Sequence, residues 1–154
     1  MTKYKIIIGI LVTLLSGYSY SIESAETDSS KLFERLGAVY QINTMTLFTG
    51  TSVEYYENGQ LHLRKEYKDG QKHGLWEEYF TNDQLMTKGT FTNGVMTGLW
   101  ESFYENGVLF ERGNLNNGFK EGLFEEFYAN GEIKSEECFD MGKKVDLIIC
   151  KTNK

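Results

Sequence analysis

Proline is missing from this chain altogether, and histidine and cysteine are scarce, with two residues of each. Proline cannot donate to a β-ladder, so its absence removes an obstacle to an extensive sheet. Two histidines at unrelated positions, His62 and His73, cannot supply the three or four converging ligands of a metal site. Basic clusters are absent too, and the formal net charge is −6. Nucleic acid and anionic lipid surfaces both recruit clustered lysine and arginine, so neither is an expected partner. Glycines come singly rather than in a phosphate-cradling run, and no serine, threonine or cysteine has a histidine base in a matching context. The sequence therefore asks for no cofactor and offers no catalytic constellation.

The one apolar run lies near the start. "MTKYK" supplies two lysines, "IIIGILVTLL" is apolar, and "SGYSYS" is small and polar apart from its tyrosines. This is the layout of a secretory signal peptide, expected over residues 1–21 with cleavage after Ser21. The run falls short of the ~20 residues that span a bilayer, so membrane contact beyond export is not expected. "LLSG" resembles the opening of a lipoprotein signal, but Tyr18 stands where the lipid-bearing cysteine would be. An exported, unlipidated protein in the periplasm, cell envelope or extracellular space is the expectation. Removing residues 1–21 takes Lys3 and Lys5 from 16 bases and leaves all 22 acids, for a mature charge of −8. Residues 22–31, "IESAETDSSK", read as a flexible acidic leader.

What is abundant is glycine, at 16 residues, and aromatics, at 14%. Both are distributed with a period of 24. The stretches starting at Thr51, Leu75, Leu99 and Leu123 repeat one pattern, seen in "LWEEYFTNDQL", "LWESFYENGVL" and "LFEEFYANGEI". A fixed period in this range marks a repeat architecture. Asn-Gly or a near equivalent falls at Asn58-Gly59, Asn82-Asp83, Asn106-Gly107 and Asn130-Gly131. A second set falls at Asp69-Gly70, Asn93-Gly94, Asn117-Gly118 and Met141-Gly142. Such dipeptides suit type I′ hairpin turns, and the intervals between them are strand-sized. The expected fold class is all-β, an elongated antiparallel meander of stacked hairpins. Residues 32–50 form N-terminal capping strands, 51–146 four repeats, and 147–154 a terminal strand and tail.

Two-residue turns throughout would place Trp76 opposite Gly89 and Phe80 opposite Leu85. One face then collects Trp76, Phe80, Leu85, Phe91, Trp100, Tyr104, Leu109, Leu115, Phe124, Tyr128, Ile133 and Phe139. A bulge at Gly74, Gly98 or Gly122 would exchange the faces beyond it. The other face pairs Glu77 with Lys88 and Glu101 with Arg112, near Tyr79 and Phe103. The recurring glutamates belong to a solvated face, because copies of one environment do not make an acid/base pair. Trp76, Phe80, Trp100, Tyr104, Phe124 and Tyr128 form the candidate partner-binding strip. The apolar end "VDLIIC" makes Leu147, Ile148 and Ile149 a candidate edge strand, open to an extended peptide or to self-association. The same register puts Cys138 and Cys150 on opposite faces, out of disulfide reach unless a bulge forms near Asp146.

The repeat units resemble the bacterial variant of the MORN repeat, G-x-W-x-x-Y-Y-x-N-G-x-L followed by a second turn. The entry segment "LFERLGAVYQINTMTLFTGTSVEYYENGQL" is similar to the start of YwqK-type antitoxin proteins. The resemblance covers residues 32 to about 146, with Asp83, Met141 and Asp146 departing from the pattern. It implies a narrow scaffold of stacked hairpins that binds a protein partner and is not an enzyme. The antitoxin likeness implies, as the alternative, neutralisation of a cognate toxin.

Overall fold

The computed structural model describes residues 25–152. The expected signal segment, with Tyr18, the opening of the expected leader and residues 153–154 lie outside the described residues. The chain is the expected all-β meander. Eight strands follow one another as hairpins: β4 (Gly50–Tyr55), β5 (Leu61–Lys68), β6 (Gln71–Tyr79), β7 (Leu85–Thr92), β8 (Val95–Phe103), β9 (Leu109–Asn116), β10 (Phe119–Phe127) and β11 (Ile133–Asp140). Short strands β1 (Thr27–Asp28) and β12 (Lys143–Val145) complete a ten-stranded sheet in the order β1-β4-β5-β6-β7-β8-β9-β10-β11-β12. The strands β2 (Leu32–Arg35) and β3 (Ala38–Gln41) pair separately as a small cap.

Two turn chemistries alternate along the sheet. At Asp69-Gly70, Asn93-Gly94, Asn117-Gly118 and Met141-Gly142 both central residues have positive φ, as a type I′ turn requires. The other four turns differ from the expectation. There only Gly59, Asp83, Gly107 and Gly131 are left-handed, and each donates its N–H to the carbonyl three residues back. These are type I turns closed by a left-handed residue. Their asparagines act through the side chain instead, with Oδ1 of Asn58, Asn82, Asn106 and Asn130 accepting the N–H two residues on at 3.0–3.1 Å.

That longer turn inserts one extra residue into each returning strand. Glu78 faces Thr87 but Tyr79 faces Leu85, so Met86 is unmatched. His62, Phe110 and Lys134 are the corresponding residues in the other copies. A one-residue bulge exchanges faces beyond it. Leu85, Leu109 and Ile133 therefore pair with Tyr79, Phe103 and Phe127 on the charged face, not with Phe80, Tyr104 and Tyr128 on the tryptophan face as a uniform register requires. The irregularities at Gly74, Gly98 and Gly122 behave otherwise. Thr90 faces Thr97 and Lys88 faces Glu101, so two extra residues enter and the faces are kept.

The ends depart most from expectation. Part of the leader is ordered: Thr27 and Asp28 pair in parallel with Ser52 and Val53, and the Arg64 guanidinium binds Glu26. The cap docks on the first short turn, where Val39 N–H donates to Gly70 O at 2.8 Å. At the far end Leu147, Ile148 and Ile149 are not a strand. They open helix α1 (Leu147–Thr152), because Asp146 Oδ1 accepts the Ile148 N–H at 3.0 Å and turns the chain out of the ladder. The helix folds back so that Cys150 bonds Cys138, with Cα atoms 5.9 Å apart, correcting the unbridged expectation. Lys151 Nζ holds Glu136 at 2.7 Å beside it. Among the described residues full burial is confined to few apolar side chains, Phe48, Val53, Phe124 and Cys138, as expected of a largely single-layered sheet.

Candidate functional site: the tryptophan face

The sheet presents two unlike faces. On one, Trp76 and Trp100 lie on alternate strands with Gly89 on β7 between them. Their indoles stack at 5.6 Å and 15° over that glycine. A Cβ at Gly89 would stand 3.0 Å from the Trp100 ring, and one at Gly113 would stand 2.5 Å from the Phe124 ring. Trp76–Gly89 and Trp100–Gly113 are indeed Cα partners. The rings, however, lean the other way, so each glycine is covered by the aromatic of the following strand.

The remaining strip residues divide by burial. Phe124 is 3% exposed, packed edge-on against Phe139 at 5.4 Å with the Lys120 ammonium 4.2 Å above its ring. It is core, not contact surface. Tyr104 packs edge-on against Phe110, and its hydroxyl donates to Phe127 O at 2.9 Å. Tyr56 makes the same bond to Tyr79 O at 2.7 Å, tying each repeat to the next. Phe80 has no hydroxyl to do so, and Asn82 Nδ2 supplies the link to Glu105 O at 3.0 Å. Tyr128 is half-exposed, 50%, and Trp76 and Trp100 are partly exposed. Ion pairs Lys65–Glu54, Lys120–Glu111 and Lys134–Glu126 flank the aromatics. The Lys134 ammonium and Ser135 hydroxyl hold the Glu126 carboxyl below its usual range.

The opposite face carries one row of alternating charge, Arg64, Glu77, Lys88, Glu101, Arg112 and Glu125, each the Cα partner of the next. Glu77–Lys88 and Glu101–Arg112 are Cα partners as expected, but the close ion pairs are Lys88–Glu101 and Arg112–Glu125, both at 2.6 Å. Beside the row run Tyr79, Phe103 and Phe127, with Lys88 and Arg112 over the last two rings. Burial and the neighbouring Glu77 push the Tyr79 phenol up to about 12. This second apolar row escaped the sequence reading because the bulge that assembles it has no residue signature of its own.

Among the described residues no group of His, Cys, Asp and Glu is arranged to hold a metal ion, and both cysteines are in the disulfide. His62 lies 3.5 Å from Glu78 and against the Tyr56 ring, while His73 contacts Asn93. No helix among the described residues is long and apolar enough to cross a membrane. The candidate edge residues Leu147, Ile148 and Ile149 are in α1 and offer no strand edge.

No curated protein matches the chain. A family model for the MORN repeat variant matches four times, over residues 48–69, 72–93, 96–117 and 120–141. The period is the one read from the sequence, with the unit drawn three residues earlier. MORN repeats are generally protein-interaction or scaffold repeats. With four matched units spanning most of the hairpin ladder, the chain belongs to the MORN repeat variant family.

Proposed function

We propose that this protein is an exported, non-enzymatic scaffold that holds a protein partner on its tryptophan face. The observation that carries the reading is the stacked Trp76–Trp100 pair at mid-sheet, partly exposed and covered by no other element among the described residues. Rigid aromatic area of this kind contributes large contact surface at little entropic cost. The signal-peptide layout of the first 21 residues supports export, and the acidic balance favours a partner with a basic or neutral surface.

Trp76 and Trp100 are the chain's only tryptophans, so their emission reports directly on the proposed site. The test is affinity capture from the cell envelope with the protein and its Trp76→Ala variant, followed by fluorescence titration of the captured partner. The expected result is a partner held by the unaltered protein, lost by the variant, and shifting the indole emission on binding. Equal capture by both would place the binding site elsewhere. A partner that is itself toxic to cells would favour the antitoxin reading.

A further inference from the structure

The charged face carries two rows that the tryptophan-face reading does not use. One is the run Arg64, Glu77, Lys88, Glu101, Arg112, Glu125, one residue from each of β5 to β10. The other lies nearer the longer turns and consists of four directly opposed pairs: Tyr55–Leu61, Tyr79–Leu85, Phe103–Leu109 and Phe127–Ile133. Tyr55 and Ile133 are 52% and 55% exposed. Helix α1 lies on this same face at its β10–β11 end, against Leu123 and Cys138 with Lys151 on Glu136, and leaves the apolar band open.

Both rows have the same symmetry. Place a two-fold axis along the strands, between β7 and β8, and set a second copy face to face. Strand β7 then lies over β8 of the second copy, β6 over β9, β5 over β10 and β4 over β11. Position along the strand is unchanged, so charge row meets charge row and apolar band meets apolar band. Lys88 faces Glu101 of the second copy, Glu77 faces Arg112, and Arg64 faces Glu125. In the band Leu85 meets Phe103, Tyr79 meets Leu109, Leu61 meets Phe127 and Tyr55 meets Ile133. Within these two rows every charge finds its opposite and every aromatic ring finds an aliphatic side chain, while Arg64 keeps Glu26 and Glu136, next to Glu125 on β11, keeps Lys151 of its own copy. An axis centred on a strand, or one running across the strands, puts like charges together instead. Axes between other strand pairs overlap fewer repeats.

The geometry points to a face-to-face homodimer of this chain, closed by the charge row and the apolar band about that axis. Its interface is isologous, the commonest form for homodimers. Eight strands about 4.8 Å apart and roughly five residues deep give roughly 650 Å² per copy. The total of roughly 1,300 Å² lies at the low end for specific complexes, and sheet twist concentrates it on the central strands. Area alone does not set affinity, so the test below spans the micromolar range in which an interface at the low end of size is read. The dimer leaves both tryptophan faces outward, so that it offers two equivalent partner sites.

Sedimentation velocity of the purified protein from about 5 to 500 µM tests the assembly, a range spanning micromolar affinity. The average mass rises toward twice the monomer with concentration, and more weakly at high salt. Lys88→Glu and Glu101→Lys, each checked for fold by circular dichroism, both lose association. An equal mixture of the two regains it, because the exchanged charges face each other only between copies of different kind. Leu85→Lys, which leaves every ion pair in place, also loses association and stands in if either charge variant misfolds. A protein that stays monomeric to the highest concentration overturns the inference. So does association that survives the Leu85→Lys change, or a mixture of folded charge variants that fails to recover it, since another surface would then be responsible.

Discussion

Reducing the Cys138–Cys150 bond is the sharpest perturbation of the C-terminal end. The bond closes a loop with a sequence separation of 12, so loop-closure entropy alone assigns it about 3 kcal/mol at room temperature. Little else holds α1. It has six residues, well below the ~12–15 at which an isolated helix is even marginal in water. Its remaining anchors are the Lys151–Glu136 pair at 2.7 Å, half-exposed and worth at most about 1 kcal/mol, and the Asp146 cap. Cys138 is 2% exposed, so reduction also requires the helix to lift from the sheet. The expected result with a reductant is loss of hydrogen-exchange protection in α1 and β12, while β4–β9 remain protected. The urea midpoint of the last hairpin falls by an amount equivalent to about 3 kcal/mol, and that of the first repeats does not move, because repeat stability is transmitted between neighbours. Unchanged protection of Ile149 and Cys150 after verified reduction would refute the reasoning, since it would mean that side-chain packing alone retains the helix.

Three further outcomes follow from the same geometry. Trp100→Ala lowers stability by about 3 kcal/mol through loss of the stacked, partly buried indole, whereas Glu101→Ala costs under about 1 kcal/mol because Lys88 remains solvated; equal denaturant midpoints for the two would contradict the face assignment. Gly113→Ala forces the buried Phe124 ring from its seat and costs about 1–3 kcal/mol in urea denaturation, while Gly131→Ala, with open space around its Cβ, pays only for its left-handed φ of 86°. Tyr79 ionises near pH 12 in the folded protein against ~10 unfolded, so its contribution to stability is present below pH ~10 and is lost as pH rises through 10–12. A spectrophotometric titration of the folded protein should show a late phenolate step that Tyr79→Phe removes.

Much of this architecture is written locally, in residues that act on their immediate neighbours. Asn93-Gly94 and Asn117-Gly118 can adopt two successive left-handed conformations, and that alone turns one strand back on the last. The 24-residue period, the all-β meander and the pairing of Trp76 with Gly89 follow from such turns and from strand alternation. The face of Leu85 does not. It depends on whether Asn82-Asp83 makes a two-residue or a longer turn, a difference of one residue that the backbone resolves by hydrogen bonding and that moves Leu85, between the bulge and the turn, to the other face. The direction in which the indoles lean, the choice of Glu101 over Glu77 by Lys88, and the burial of Phe124 likewise depend on strands a whole repeat away. The C-terminus is the plainest case. "VDLIIC" has the composition of a strand, and its residues would extend the ladder if pairing were the only term. Asp146 capping the chain and Cys138 capturing Cys150 outweigh that preference, and only the folded sheet brings those groups within reach. Local sequence determined the repeat and its turns; the tertiary structure decided the faces and the ends, because both depend on contacts between residues distant along the chain.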